Sequence, residues 1–277
     1  MKLITASANC GNSTLGESAC QRFTGYLTTQ QAEVVIIHCQ EVSLKKTLQQ
    51  LTPYTDKAGL KVMASPLRVT RTKLFNTDVL LGRTGMATLV IYNPKTLKAV
   101  EFNPPSRTVV KGSGWFSGFN KGALIERLTL KTASQGDFSV RSVCGHLDAY
   151  NANHRASEWA KIKQATTCQG TSWQQLVEHV VDVQVAGYDT NTRNRYLSKN
   201  RLAATNPWEQ SALDPTITPL YSAPLGPTLY SARNTFSPTK VRRPDPKRKG
   251  EETAGSLDFV AIQNNTHPSH QAPPTPY

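Results

Sequence analysis

The sequence predicts an α/β protein in which a pair of mixed β-sheets carries helices on its outer faces. Short apolar runs typical of buried or half-buried strands recur along the chain, and turn-rich stretches separate them. Segments of helical character lie between these runs, but strands and helices alternate only in part. Because a single parallel sheet would require regular alternation, a mixed pair of sheets with outer helices fits the order of elements better.

The predicted strands differ in their apolar pattern. The run 34–39 is continuously apolar, as in a strand buried on both faces, whereas the run 138–144 alternates apolar and polar residues, as in a half-buried strand. The predicted strands are 3–6, 34–39, 87–92, 122–130, 138–144, 180–186 and 257–262.

Helical candidates lie at 18–31, 43–51, 153–166 and 172–179. The segment 153–166 has the clearest pattern, because Ala156, Trp159 and Ile162 fall on neighbouring helical faces. The segment 172–179 begins at Ser172, a residue type favoured as a helix N-cap.

We expect residues 1–277 to form a single domain, since this length suits one large α/β domain. Residues 197–252 hold many prolines and end near the basic cluster 240–249, which predicts a long loop-rich insertion. A loop of that length inside a domain is either functional or disordered. Residues 264–277 form a short proline-rich tail.

The composition is that of a soluble globular protein with an excess of basic residues. The chain is 38% hydrophobic, has a mean hydropathy of −0.42 and carries a formal net charge of +13. No run approaches the roughly 20 apolar residues needed to cross a bilayer, and the N-terminus has no apolar core of a secretory signal. We therefore expect a protein that is cytoplasmic, or exported without such a signal, and whose charge favours polyanionic partners.

Acids, amides and histidines follow the predicted strands where a rigid scaffold can present them at one edge. Asn9 closes the first strand, Glu41 follows the second, and His146 ends the run that begins at Phe138. A carboxylate is a hard ligand suited to Mg²⁺, and a carboxamide can assist it. Taken singly, Asn9 is better explained as a turn residue and Glu41 as a helix-start acid.

The C-terminal half continues this series. Asp189 and Asn191 follow the strand 180–186, and their spacing places both side chains on one side of an extended segment. Asp258 lies inside an apolar strand, where a carboxylate is costly unless it is paired. His270 or His267 is close enough in sequence to be its partner.

In this order the residues resemble the endonuclease/exonuclease/phosphatase superfamily, from Asn9 to His270. The resemblance implies a four-layer α/β/β/α sandwich of the deoxyribonuclease-I type. Within the superfamily, the inositol polyphosphate 5-phosphatase branch is closest. Residues 118–123 are similar to its Gly-Asn-Lys-Gly-Gly segment, and residues 189–193 to its Gly-Asp-x-Asn-x-Arg segment. Tyr188 and Ser269 depart from the pattern, since they stand where it has a glycine and an aspartate.

The resemblance also implies a chemistry, a phosphoester hydrolase dependent on Mg²⁺, with Mn²⁺ as an alternative ion. It implies that Glu41, assisted by Asn9, holds the ion against a phosphate oxygen. Asp189 would activate or orient the attacking water, with Asn191 positioning water and phosphate. The phosphate contacts would come from His146 and from His270, the latter oriented by Asp258. The candidates for binding the substrate are Lys121, Asn120, Arg193 and Arg155.

Three functions remain open at this point. A phosphatase acting on phosphoinositides or inositol phosphates is the first, working as a monomer with peripheral contact to an anionic membrane as an option. A deoxyribonuclease-I-like endonuclease or phosphodiesterase is the second, because a chain of net charge +13 would bind nucleic acid. A catalytically weakened binding module on the same fold is the third, and it is supported by Tyr188 and Ser269.

Overall fold

The computed structural model describes most of the N-terminal two thirds of the chain and several strands beyond it. The described residues are 1–66, 84–103, 108–112, 121–132, 136–148, 151–166 and 181–189, with the backbone of 194–196, 228–230, 252–254 and 258–264.

The first sheet is built from four strands in the order β1-β2-β4-β3. Its strands are β1 (Leu3–Ser13), β2 (Val34–Val42), β3 (Lys61–Ala64) and β4 (Gly85–Tyr92). β1 pairs with β2 in parallel, while β4 pairs antiparallel with both β2 and β3. The sheet is therefore mixed, as the partial alternation of elements predicts.

The second sheet is larger and also mixed. Its strands are β5 (Leu97–Phe102), β6 (Thr108–Lys111), β7 (Gly122–Thr132), β8 (Asp137–His146), β9 (Val183–Asp189), β11 (Thr228–Tyr230) and β13 (Asp258–Asn264). The order is β11-β13-β9-β8-β7-β5, with β6 also paired to β7. Only β8 and β9 run parallel among its described pairs. A separate antiparallel pair joins β10 (Asn194–Tyr196) to β12 (Glu252–Ala254).

Three helices lie on the outer faces in the described part of the chain, namely α1 (Glu17–Thr28), α2 (Leu44–Lys57) and α3 (Ala152–Thr166). α1 and α2 cover the first sheet, where Leu27 and Leu51 join a buried cluster with Ile37. α3 covers the second sheet, where Ile162 packs in a cluster with Val143. These contacts make the two outer layers of a sandwich.

The two sheets pack face to face around a second apolar layer. Val34 and Ile36 of β2 point into this layer together with Leu128 and Val185 of the second sheet. The alternate β2 residues point to the helical side instead. Because both faces of β2 are buried, its sequence is continuously apolar over its first four residues, Val34 to Ile37. The arrangement confirms the predicted four-layer α/β/β/α sandwich.

Each strand predicted from the sequence has a counterpart, and the differences lie mainly at the ends. The second predicted helix, 43–51, continues past Pro53 to Lys57, because the buried side chains of Leu51 and Thr55 hold it against the sheet despite the proline. The short strands β3, β5 and β6 were not predicted. The predicted helix 172–179 lies outside the described residues, and the stretch 197–252 includes the short strand β11.

Among the described residues, no helix combines the length and the apolarity that a membrane crossing requires. Cys10, Cys20, Cys39 and Cys144 are free thiols.

Candidate active site

The strand register brings several predicted site residues into one row of the second sheet. In β9, Asp189 lies opposite His146 of the parallel strand β8. On its other side, Asp189 lies opposite Asp258 of the antiparallel strand β13. His146 in turn lies opposite Gly122, the first residue of β7 after Lys121. Residues between 24 and 69 positions apart in the sequence are thus cross-strand neighbours, in one row at one rim of the sheet.

The first sheet adds Asn9 to this row. The Nδ2 of Asn9 donates a hydrogen bond to Oδ2 of Asp189, so the two sheets are linked directly at the rim. The Oδ1 of Asn9 accepts a hydrogen bond from the backbone N–H of Gly11 at 2.9 Å. Asn9 does not close the first strand, as the sequence suggested, because β1 continues to Ser13 through an irregularity that follows Asn9.

Glu41 lies inside β2 and not after it, which corrects the position predicted from the sequence. The antiparallel register with β4 jumps from Cys39–Ala87 to Val42–Gly85, so β2 carries one extra residue at a β-bulge. Within this bulge Glu41 has a φ of 50°, a left-handed conformation that is strained for a residue with a side chain. The apolar pattern of β2 ends at Cys39, where the bulge begins, and it therefore predicts a strand that stops before Glu41.

His146 lies at the centre of the charged residues. Its side chain is fully buried, and its Nε2 lies 3.6 Å from Oε1 of Glu41 and 3.6 Å from Oδ2 of Asp189. The Nζ of Lys121, itself buried, also contacts Nε2 of His146. Two carboxylates, a carboxamide, an imidazole and an ammonium group therefore form one cluster of low solvent exposure.

Arg155, a predicted substrate ligand, is buried near the start of α3. Its Nη1 donates to the backbone carbonyl of Asp148 at 3.2 Å. The backbone N–H of Asp148 in turn donates to Oε2 of the buried Glu158 at 2.8 Å. Leu147 connects this loop to the rim, since its N–H donates to the carbonyl of Asp189 at 2.9 Å. Arg155 thus helps to hold the backbone of Asp148, two residues after His146.

A layer of neutral polar residues lies between the sheets beside the rim, and the sequence reasoning missed it. The Nε2 of His38 is 3.0 Å from the hydroxyl of Ser142, and this hydroxyl is 3.1 Å from that of Thr88. The Nδ1 of His38 lies 3.1 Å from the carbonyl of Ala6. The available signal was a polar residue inside an apolar run, since His38 and Gln40 interrupt the buried strand β2.

The remaining predicted site residues are outside what the structure describes. This holds for Asn120, Asn191, Arg193, His267 and His270, and Asp258 is described by its backbone alone. Their predicted roles stay predictions.

Comparison with known proteins identifies the architecture. No protein-family model and no curated protein matches the chain. A solved structure with 16% identity and a TM-score of 0.58 is the inositol polyphosphate 5-phosphatase domain of SPsynaptojanin, in complex with inositol (1,4)-bisphosphate and calcium ion; the match covers 95% of this chain and 76% of that one. The chain has the endonuclease/exonuclease/phosphatase fold.

Two other similar structures have lower scores. An endonuclease/exonuclease/phosphatase family protein from Bacteroides thetaiotaomicron has 9% identity and a TM-score of 0.46, with coverage of 95% of this chain and 83% of that one. A Cimex nitrophorin mutant in its ferrous NO complex has 12% identity and a TM-score of 0.49, with coverage of 95% and 87%.

The rim residues fit a hard divalent cation by the chemistry of their donors. Glu41 and Asp189 offer carboxylate oxygen atoms, which Mg²⁺ and Ca²⁺ prefer. The Oδ1 of Asn9, which accepts from Gly11, has a second lone pair. No cluster of three or more His, Cys, Asp or Glu side chains suited to a metal occurs among the described residues.

Proposed function

We propose that this chain is a divalent-metal-dependent phosphoester hydrolase that acts on inositol phosphates or phosphoinositide headgroups. The observation that carries the proposal is the convergence of Asn9, Glu41, His146 and Asp189 from four strands of two sheets. Clustering opposite charges in a buried pocket is costly for folding unless the charges are paired or serve a ligand.

Each described residue has a part that suits this reaction. Glu41 and Asn9 would hold the cation, preferably Mg²⁺, which supplies charge neutralisation at a phosphate oxygen when bound. Asp189, whose Oδ2 accepts from Asn9, would orient the attacking water. Lys121 would contact the phosphate oxygens through its ammonium group, which donates to Nε2 of His146 in this structure. His146 would contact them when its Nε2 carries a proton.

The remaining parts rest on the sequence pattern and the register. Asn191 would position water and phosphate, and His270 would donate to the phosphate, oriented by Asp258. The cross-strand position of Asp258 next to Asp189 supports this, because it puts the backbone of Asp258 in the row of the rim residues.

The substrate class is supported by two considerations. A solved structure similar to this chain, with a TM-score of 0.58, is a 5-phosphatase domain in complex with inositol (1,4)-bisphosphate and calcium ion. The net charge of +13 is compatible with a polyanionic headgroup. The same charge favours a second candidate, a nuclease that cleaves phosphodiesters with the same residues.

A substrate panel tests the proposal. Glu41→Gln keeps the size of the side chain and removes its charge, and Glu101→Gln is the matched control at an exposed glutamate that is paired with Lys131. We expect Mg²⁺-dependent phosphate release from inositol phosphates and short-chain phosphoinositides to fall about 10²- to 10³-fold in Glu41→Gln. The control should retain wild-type rates, and EDTA should abolish activity.

The panel also separates the three functions. Nicking of plasmid DNA that weakens steeply with salt, without phosphate release, would replace the phosphatase by the nuclease. If the wild-type protein turned over none of the substrates with Mg²⁺, the binding module would be the better description.

A further inference from the structure

The strained backbone of Glu41 requires something to hold it. A non-glycine residue at a φ of 50° persists only where its surroundings fix it, at a cost on the order of 1 to 3 kcal/mol. The bulge interrupts the ladder with β4 beside Glu41, since the registered pairs stop at Cys39 and resume at Val42. The nearest side chain on β2 that links it to other strands is that of Gln40.

Gln40 joins the three strands that carry the oxygen donors. Its side chain is fully buried, and its Nε2 lies 3.2 Å from the hydroxyl of Ser7 and 3.3 Å from the carbonyl of Gly187. Ser7 is two residues before Asn9 on β1, and Gly187 is two residues before Asp189 on β9. A single carboxamide thus connects β2 to β1 in its own sheet and to β9 in the other sheet, next to the bulge.

The position of these contacts distinguishes Gln40 from the other polar groups between the sheets. Ser142 also links the sheets, through His38 and Thr88, but its contacts do not involve Ser7 or Gly187. A purely structural polar link would contribute to folding stability wherever it lies. A link between the segments that carry Asn9, Glu41 and Asp189 would in addition fix the spacing of their oxygen atoms.

We propose that Gln40 is a positioning residue, which holds the Glu41 bulge and sets the spacing of Asn9, Glu41 and Asp189 for a divalent cation. This inference rests on the proposed function, because it assumes that these three residues serve an ion. Hydrogen-bond partners of metal ligands affect affinity strongly, and their loss typically costs about 10- to 100-fold in metal affinity or activity.

Mn²⁺ binding tests the inference without relying on turnover. The full chain is titrated with Mn²⁺ alone, and the signal of free Mn²⁺ is followed by electron paramagnetic resonance. Gln40→Met retains the length of the side chain without its hydrogen bonds, and we expect the Kd for Mn²⁺ to rise about 10- to 100-fold. Ser7→Ala removes one of the two links, and we expect a smaller rise of about 3-fold or more.

Ser142→Ala is the matched control, since it removes a buried link that does not touch the bulge. We expect it to lower the midpoint of thermal unfolding and to leave the Kd unchanged. Gln40→Met should therefore differ from the control in metal affinity and resemble it in stability.

The outcomes separate this inference from the proposed function. A wild-type chain that binds no Mn²⁺ overturns both. A wild-type chain that binds Mn²⁺ and loses it in Glu41→Gln, while Gln40→Met keeps wild-type affinity, overturns the positioning role and leaves the proposed function standing. If Gln40→Met lacks the wild-type circular dichroism spectrum, Ser7→Ala decides, and an unchanged Kd in that variant overturns the role.

Discussion

Two buried histidines separate two kinds of polar region in this protein. His146 at the rim lies 3.6 Å from each of two carboxylates and contacts the ammonium group of Lys121. His38, deeper between the sheets, has neutral partners among the described residues, namely the hydroxyls of Thr5 and Ser142 and the carbonyl of Ala6. Both rings are fully buried, so their partners and not their exposure make the difference.

The two regions also differ in the charge of their contacts and in backbone strain. Around His38 each described hydrogen-bonding contact is neutral, and burial lowers the pKa of the ring to about 4, so that it stays uncharged at neutral pH. At the rim, charges are concentrated and the backbone of Glu41 is strained. Such arrangements lower stability and are found mainly where a ligand or a reaction requires them.

Replacement of Glu41 by glycine should have the largest effect, because it separates turnover from stability at the rim. Glycine tolerates a φ of 50° without strain, but the carboxylate is lost. We expect phosphoester turnover to fall about 10²- to 10³-fold, while the free energy of unfolding stays unchanged or rises by about 1 kcal/mol. Turnover and urea unfolding of the same preparation measure both. A large loss of stability would show that the bulge is not strained.

Acidification should lower the free energy of unfolding through His38. Because the folded-state pKa of about 4 lies below the ordinary value of 6.5, the unfolded state binds the proton more tightly. The contribution of His38 is complete above pH 6.5 and is lost as the pH falls towards 4, in total on the order of 3 kcal/mol. Urea unfolding between pH 7 and pH 4.5 should therefore show a smaller acid loss in His38→Gln than in wild type. Equal losses in both proteins would contradict the assignment.

Gly187→Ala should produce the smallest of these effects. A Cβ at this position would lie 2.6 Å from Cβ of His38, which is too close for atoms near the backbone. We expect the free energy of unfolding to fall by about 1 to 3 kcal/mol. Gly25→Ala is the control, since no atom lies within 4 Å of its added Cβ. A stability equal to that of the control would mean that the sheets can separate there at no cost.

The sequence predicted the fold through the features that periodicity can express. The continuous run of β2 and the alternation of β8 led to the correct class, because burial on two faces or one leaves a direct pattern. Short strands such as β3 have too few residues for such a pattern. Their pairing is decided by neighbours distant in the sequence, which no local window contains.

The sequence predicted the residues of the site that lie beside apolar runs, but not the contacts that depend on strand register. Asn9, Glu41, His146 and Asp189 could be selected as polar residues beside apolar runs, and the structure brings all four together. The bulge at Glu41 and the links made by Gln40 could not be foreseen, because both depend on the register between strands. The roles of Asn191 and His270 stay predictions.

The strand that carries Asp189 is held on both sides, by β8 and by β13, up to its last residue. The hydrogen bond from Nδ2 of Asn9 adds a third restraint on Asp189, from the other sheet. The place of the Asp189 backbone is therefore set by cross-strand pairing, independently of the segment that follows it in the sequence.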